Sequence, residues 1–228
     1  MSLLNPSLQK QVREIFAALP NPVTLALFRR SSEPCESCHD VRQLAEELAS
    51  ISNGRVIVET HDLDGDAGAA TLYGIDKVPA VAVLGDESGR RDFGIRFFGA
   101  PVGYEFATLL EDIRMASAGT ADLSPRTVEA LSRLESPLHL QVFVTPTCPY
   151  CPRAVLLAHK MAMVSELVTA DAVDASEFPE LAERYHVHGV PRTVANEIVH
   201  VEGAVPEAML MQELADLIGG KEQVRAAG

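Results

Sequence analysis

The sequence contains no tryptophan, few aromatic residues and only four cysteines. Aromatic residues make up 5% of the 228 residues, and 19 lysine and arginine residues stand against 32 aspartates and glutamates, which gives a formal charge of −13 at pH 7. This shortage of basic residues excludes nucleic acid and anionic membranes as main partners, because both demand a basic face. Four cysteines are too few for a disulfide-dense secreted scaffold of this length.

Long apolar segments are also missing. No apolar run approaches the roughly 20 residues that a membrane-spanning helix needs, and the first ten residues lack the basic run and apolar stretch of a secretory signal. Hydrophobic residues nevertheless make up 47% of the chain, which is enough to bury a core and to exclude disorder as the main state. We therefore expect a soluble, cytoplasmic protein without a membrane partner.

The four cysteines form two pairs with the same spacing. Cys35-Glu-Ser-Cys38 follows one strand-like run, and Cys148-Pro-Tyr-Cys151 follows another, 113 residues later. About 40 residues beyond each pair, the sequence reads Val78-Pro79 or Val190-Pro191. A repeat over this distance indicates two homologous domains.

Each half has the same predicted order of elements: helix, strand, helix, strand, helix, two strands and a final helix. The two domains are predicted over residues 1–118 and 119–228. The distance between matching positions shrinks after the prolines, which predicts a longer hairpin around Gly85–Gly89 in the first half. Asn5-Pro6 and Ser124-Pro125 are predicted helix starts, because a polar cap precedes a proline.

A Cys-x-x-Cys pair between a strand and a helix suits thiol–disulfide chemistry. The first cysteine then lies at the helix N-terminus, where free backbone N–H groups and the positive end of the helix dipole stabilise a thiolate. Lowering the thiol pKa from about 8.5 to about 7 raises the thiolate at neutral pH from a few per cent to roughly half. The second cysteine can attack the mixed disulfide and release the reduced substrate.

The second pair lies in the run Thr145-Pro-Thr-Cys-Pro-Tyr-Cys-Pro152, which has the Cys-Pro-Tyr-Cys centre of glutaredoxins. This run resembles the active site of the glutaredoxin-like protein disulfide oxidoreductases, which are tandem thioredoxin-fold proteins. The similarity continues through Ala158-His-Lys160, Glu202-Gly-Ala204 and Phe98-Gly-Ala-Pro101. It implies an α/β fold with two tandem thioredoxin-fold domains, each a mixed central sheet flanked by helices.

The resemblance also implies the roles of the cysteines. Cys148 is expected to be the nucleophile and Cys151 the resolving thiol, with Cys35 and Cys38 as their equivalents in the first half. The implied activity is the reduction, oxidation or isomerisation of disulfides in partner proteins. It requires no organic cofactor and no metal.

Pro79 and Pro191 occupy the position at which a thioredoxin fold has a cis-proline facing the disulfide. Cis X–Pro bonds are a minority state, but the repetition in register favours the cis form over a trans proline that starts an edge strand. The backbone of the preceding Val78 or Val190 can pair with a bound peptide. Tyr150, inside the second motif, is a further candidate for contact with the substrate.

Features typical of related proteins are missing. No tryptophan precedes either motif, residues 145–147 lack the lysine that single-domain glutaredoxins carry there, and no Gly-Gly-x-Asp stretch follows Pro191. Glutathione is therefore not expected to be the reductant, and we expect a thioredoxin-reductase-type electron donor. Neither strand before a motif offers a buried carboxylate for proton transfer, which leaves the proton carrier unassigned.

The two sites are predicted to differ in reactivity. Glu33 and Glu36 flank Cys35, and nearby negative charge disfavours a thiolate, although Arg29-Arg30 can offset it. The second motif contains no acid, and its proline stiffens the loop. We therefore predict that Cys148 is the faster nucleophile.

Other interpretations stay open. The four thiolates could share a zinc ion or an iron–sulfur cluster, although zinc sites usually separate their Cys-x-x-Cys pairs by about 15–20 residues. The chain could be a peptide-binding or chaperone module with vestigial redox pairs, or a dedicated electron-transfer partner of a peroxiredoxin. Cys35 and Cys38 could form a structural disulfide. Exposed positions without a catalytic role are predicted for His39, His186 and His188. No oligomeric state is predicted.

Overall fold

In a computed structural model, which describes residues 3–219, the chain folds as one mixed sheet with helices on both faces. No helix in that range is both long and apolar enough to cross a membrane. The first half contains α1 (Pro6–Ala17), β1 (Val23–Arg29), α2 (Glu36–Ile51), β2 (Val56–Asp62), α3 (Ala67–Tyr73), β3 (Ala80–Gly85), β4 (Arg91–Phe98) and α4 (Glu105–Ala118). The second half contains α5 (Pro125–Leu131), β5 (Leu138–Val144), α6 (Cys151–Val164), β6 (Val168–Asp174), α7 (Pro179–Arg184), β7 (Arg192–Ala195), β8 (Val199–Glu202), α8 (Glu207–Glu213) and α9 (Ala215–Ile218).

The predicted order of elements is confirmed in both halves, with one difference at the end. The final predicted helix is observed as two short helices, α8 and α9, which are separated by Leu214. The longer hairpin of the first half is also confirmed, since β3 and β4 have six and eight residues, whereas β7 and β8 have four each.

Two predicted helix starts are confirmed as well. Asn5 caps α1 by accepting a hydrogen bond from the backbone N–H of Leu8, and Ser124 caps α5 by accepting one from Thr127. A proline follows each cap, and its missing N–H costs nothing in the first turn of a helix.

The eight strands form a single sheet in the order β2-β1-β3-β4-β6-β5-β7-β8. The two halves are joined by β4 and β6, which pair in parallel from Ile95 opposite Ala170 to Phe98 opposite Val173. The sequence predicts one central sheet for each half. The structure adds that these sheets are joined edge to edge, so neither half leaves an open strand edge at the junction.

Both cysteine motifs lie at the same edge of this sheet. β1 and β4 are each antiparallel to β3, so they run in the same direction. β4 is parallel to β6, and β6 is parallel to β5. β1 and β5 therefore run in the same direction, and the motifs that follow them leave the sheet at one edge.

Hydrophobic clusters cover both faces of the sheet. Along β1, Leu25 and Leu27 belong to the cluster that includes α1, α2, α4 and α6, whereas Ala26 and Phe28 belong to the cluster that includes α3 and α7. Successive side chains of a strand point to opposite faces. Burial on both sides explains why β1 and β3 are nearly continuous apolar runs rather than alternating ones.

A buried Asp–His pair lies where α4 of the first half packs against α6 of the second. Asp112 Oδ2 is 2.7 Å from His159 Nδ1, and both side chains are fully buried. Burial raises the pKa of Asp112, although the neighbouring His159 opposes the change. Asp112 Oδ1 and His159 Nε2 find no hydrogen-bond partner in the described part of the chain. The two halves therefore share a core that contains a buried pair of ionisable side chains.

We expect Asp112→Ala to lower the free energy of unfolding by about 3 kcal/mol or more, because it leaves His159 buried without its partner. Denaturant unfolding followed by circular dichroism measures this change. The double variant Asp112→Leu/His159→Leu is expected to lose less, because apolar residues replace the whole pair.

Arg114→Ala is the matched control on the same helix. Arg114 forms an exposed pair with Glu111 at 2.6 Å, and exposed pairs contribute about 1 kcal/mol or less. Equal losses in Asp112→Ala and Arg114→Ala would contradict the expected weight of the buried pair.

Candidate active sites

The first cysteine pair lies at the start of α2. Cys35 is the N-cap residue of α2, and it is joined to Cys38 by a disulfide with a Cα–Cα distance of 5.3 Å. Both cysteines are half-buried. Of the charges expected nearby, Glu33 forms an ion pair with Arg30 at 3.5 Å, whereas Arg29 pairs with an aspartate at the end of β2. Arg30 therefore balances the charge of Glu33 beside this site, whereas Arg29 does not.

The second cysteine pair is more buried and starts its helix differently. Cys148 and Cys151 form a disulfide with a Cα–Cα distance of 5.5 Å, and their exposed fractions are 7% and 0%. The sequence predicts that the first cysteine of each pair lies at the helix N-terminus. For the second pair this prediction is wrong in detail, because α6 begins at Cys151, the second cysteine. Cys148 lies in the preceding turn. The backbone nitrogen of Cys151 is 3.1 Å from Cys148 Sγ, so an N–H of the first turn still points at this sulfur.

The prediction of two cis-prolines is confirmed. The Val78–Pro79 and Val190–Pro191 bonds are both cis. The carbonyl oxygen of Val190 lies 3.8 Å from Cys148 Sγ, which brings the second pair and its proline loop together. The two loops are anchored alike: the carbonyl of Pro79 accepts a hydrogen bond from an N–H at the end of β4, and that of Pro191 accepts one from an N–H after β8.

The remaining predicted residues lie as follows. Tyr150 is 70% exposed beside the second disulfide, where a substrate can reach it. His39, His186 and His188 are exposed, as predicted. Among residues 3–219, no group of three or more histidine, cysteine, aspartate and glutamate side chains is placed to hold a metal ion.

The structure adds a buried carboxylate that the sequence analysis missed. Glu105, in the first turn of α4, is only 3% exposed, and its two carboxylate oxygens have no hydrogen-bond partner within residues 3–219. It lines a small cavity together with Val144 and Pro146, which precede Cys148. The backbone N–H of the preceding residue also bonds to the carbonyl of Pro146 at 3.0 Å. The first half thus supplies a carboxylate next to the loop of the second site.

Burial raises the pKa of Glu105 to about 7. Thr108 and His159 oppose this rise, whereas the nearby Asp112 and Asp174 add to it. Thr108 lowers the pKa of Glu105 although its hydroxyl and the Glu105 carboxylate form no hydrogen bond of good geometry. A carboxyl group with this pKa exchanges protons at neutral pH, and such groups are concentrated at functional sites. The strand that precedes the second motif could not predict this carboxylate, because Glu105 belongs to the first half of the chain.

The second half matches a known family. The family model described as a thioredoxin domain matches residues 138–216, from the start of β5 into α9. These residues are therefore similar to a thioredoxin domain. The Cys148–Cys151 pair lies between β5, the first strand of the matched residues, and the helix α6 that follows it. This position fits thiol–disulfide exchange.

Two solved structures resemble both halves of the chain together. The NTD_N/C domain of alkylhydroperoxide reductase AhpF from Enterococcus faecalis is 28% identical, with a TM-score of 0.83 over 92% of this chain and 99% of that chain. A protein disulfide oxidoreductase from Aeropyrum pernix is 28% identical, with a TM-score of 0.84 over 95% of this chain and 94% of that chain. The predicted fold of two tandem thioredoxin-fold domains is thereby confirmed.

The curated relatives of this chain are longer proteins. An NADH dehydrogenase from Ferdinandcohnia aciditolerans is 24% identical over 94% of this chain and 39% of its own length. An alkyl hydroperoxide reductase from Staphylococcus epidermidis is 25% identical over 79% of this chain and 32% of its own length. The chain therefore spans well under half the length of these relatives.

We expect Glu105 to make the stability of the protein fall with rising pH. Its pKa rises from 4.5 to about 7 on folding, so between these values the folded state holds a proton that the unfolded state has released. The contribution of Glu105 to the free energy of unfolding is therefore most favourable below pH 4.5, and it falls by about 3 kcal/mol as the pH rises through 7. Urea unfolding at a series of pH values measures this slope.

Glu105→Gln removes the titrating group and should flatten the slope between pH 5 and pH 7. Glu14→Gln, at an exposed glutamate on α1, is the control and should keep the slope of the unmodified protein. An unchanged slope in Glu105→Gln would show that another group titrates.

Proposed function

We propose that this protein is a dithiol–disulfide oxidoreductase that reduces, oxidises or isomerises disulfides in other proteins. The observation that carries the proposal is the geometry of the second site. Cys148 Sγ lies 3.8 Å from the carbonyl oxygen of Val190 and 3.1 Å from the N–H nitrogen of Cys151. An extended substrate that pairs with the Val190 backbone is thereby brought against the reactive sulfur.

In the reducing direction, the Cys148 thiolate attacks one sulfur of a substrate disulfide. A bond forms between the two sulfurs, and the other substrate sulfur leaves as a thiolate that takes up a proton. The Cys151 thiolate then attacks Cys148 Sγ, and the second substrate sulfur leaves and is protonated. Two electrons have passed to the substrate, and the Cys148–Cys151 disulfide has formed. We propose the same roles for Cys35 and Cys38 at the first site.

Thiol–disulfide exchange also needs a group that accepts and returns a proton. Cys151 is completely buried, so water has little access to its thiol. Glu105 has a pKa of about 7 and lies beside the loop that carries the second motif. We assign Glu105 as the group that holds the proton of this site, because it is ionised in part at neutral pH.

Substrates are proposed to bind along the proline loops. Val78 and Val190 are half-buried and precede the cis-prolines, so their backbone groups can pair with an extended peptide. Tyr150 offers an exposed ring beside the second disulfide. A thioredoxin-reductase-type flavoprotein is the proposed electron donor, and the cytoplasm is the proposed compartment. The proposed domains are residues 1–118 and 119–228, since α4 ends at Ala118.

A second candidate function is electron transfer to a peroxiredoxin. The solved NTD_N/C domain of an alkylhydroperoxide reductase AhpF has the same fold at the same identity as the protein disulfide oxidoreductase. Several curated relatives are also alkyl hydroperoxide reductases. The intact Cys35–Cys38 pair favours the general oxidoreductase, because the resembling modules commonly keep only one active pair.

We expect Cys148→Ser to remove about nine-tenths of the reductase activity, because it removes the nucleophile of the more reactive site. The rate of insulin reduction with dithiothreitol measures this loss. Cys35→Ser is the matched control and should retain most of the activity. A larger loss in Cys35→Ser than in Cys148→Ser would reverse the proposed order of the two sites.

The two candidate functions differ in their preferred acceptor. With NADPH and a bacterial thioredoxin reductase as donor, a general oxidoreductase should reduce insulin and a bacterial two-cysteine peroxiredoxin at rates within about tenfold of each other. NADPH oxidation followed at 340 nm measures both rates. A rate that is high with the peroxiredoxin and absent with insulin would establish the second candidate instead.

A further inference from the structure

A side chain from the second half reaches into the first cysteine motif. Ser37 lies between Cys35 and Cys38, and its hydroxyl donates a hydrogen bond to Glu177 Oε2. Glu177 belongs to the loop between β6 and α7, 140 residues away in the sequence. Both side chains are half-buried. The turn that contains the first disulfide is therefore held by a carboxylate of the other domain.

The same carboxylate also holds the loop that anchors the first cis-proline. Glu177 Oε1 accepts a hydrogen bond from the backbone N–H of Ala100 at 2.6 Å. The neighbouring Gly99 donates its N–H to the carbonyl of Pro79 at 3.0 Å. One side chain thus connects the first turn of α2 with the proline loop, which are the two parts of the first site that a substrate must contact.

The backbone of the first half approaches Glu177 closely at Gly99. Gly99 has a φ of +98°, and a Cβ atom at this position would lie 2.7 Å from Asp174 Cβ and 3.0 Å from Glu177 Oε1. Only glycine fits both the conformation and the close approach. The backbone at Gly99 therefore approaches the Glu177 carboxylate more closely than a residue with a side chain would allow.

We propose that Glu177 is a positioning residue of the first redox site, which it holds in place through Ser37 and biases towards the disulfide form. This inference rests on the proposed function, because it concerns the redox poise of the Cys35–Cys38 pair. The N-terminus of α2 favours a thiolate at Cys35. The Glu177 carboxylate is hydrogen-bonded to Ser37, two residues after Cys35, and it repels a negative charge on the Cys35 sulfur. It therefore disfavours the reduced form of the Cys35–Cys38 pair relative to the disulfide.

The test uses the full chain with Cys148→Ser and Cys151→Ser, so that Cys35 and Cys38 are the only cysteines left to react with glutathione. The equilibrium between the Cys35–Cys38 disulfide and glutathione is measured by trapping the thiols with iodoacetamide. Glu177→Gln keeps the size of the side chain and removes its charge. We expect it to favour the reduced form about threefold to tenfold, which makes the reduction potential about 15 to 30 mV more positive.

Ser37→Ala is the second variant and tests the connection itself. It should shift the equilibrium in the same direction, because a carboxylate released from Ser37 can turn towards water. The double variant should shift no further than the larger single change, since both changes break one contact. Glu183→Gln removes an exposed charge on α7 and is the matched control, with no expected shift.

The inference is overturned if Glu177→Gln leaves the equilibrium constant unchanged, or if the two single changes add in full. If Glu177→Gln does not fold, an unchanged constant in Ser37→Ala overturns it as well. The proposed function is tested separately by insulin reduction with the unmodified chain. If the unmodified chain does not reduce insulin, the proposed function fails, but the shift in the glutathione equilibrium can still be observed. If that shift is absent, the inference about Glu177 fails, but insulin reduction can still be observed.

Discussion

The parallel pairing of β4 with β6 sets how the two halves of the chain are arranged. It joins two four-stranded sheets into one, so the backbone groups of both edge strands are satisfied where the halves meet. It also fixes the relative direction of β1 and β5, which puts both disulfides at one edge of the sheet.

The same junction explains where the ionisable groups are buried. Joining the sheets brings α4 of the first half against α6 of the second, with Asp112, His159 and Glu105 enclosed between apolar side chains. Removal of such groups from water opposes folding unless they are paired. Asp112 and His159 pair with each other, whereas Glu105 responds with a raised pKa. A group that titrates at neutral pH is thereby placed beside the second site.

Local patterns in the sequence were enough to predict most of the fold. The strands before each motif, the caps at Asn5 and Ser124 and the longer hairpin of the first half depend on neighbouring residues only. The cis-prolines could be predicted because the same residue recurs in register in both halves. The single sheet could not be predicted in this way, because β4 and β6 both mix apolar and charged residues, and nothing local distinguishes a strand at the edge of a sheet from one at its centre.

The chemistry of the two candidate active sites could be predicted from the sequence: four cysteines in two pairs, each between a strand and a helix and each followed by a proline. Only the folded chain shows what surrounds these sulfurs. Glu105 lies beside the second site although it belongs to the first half, and Glu177 contacts the first site from the second half. The spacing of residues along a chain determines only the contacts within one element. The partners of each disulfide are supplied by residues distant in sequence, which only the packing of the two halves brings together.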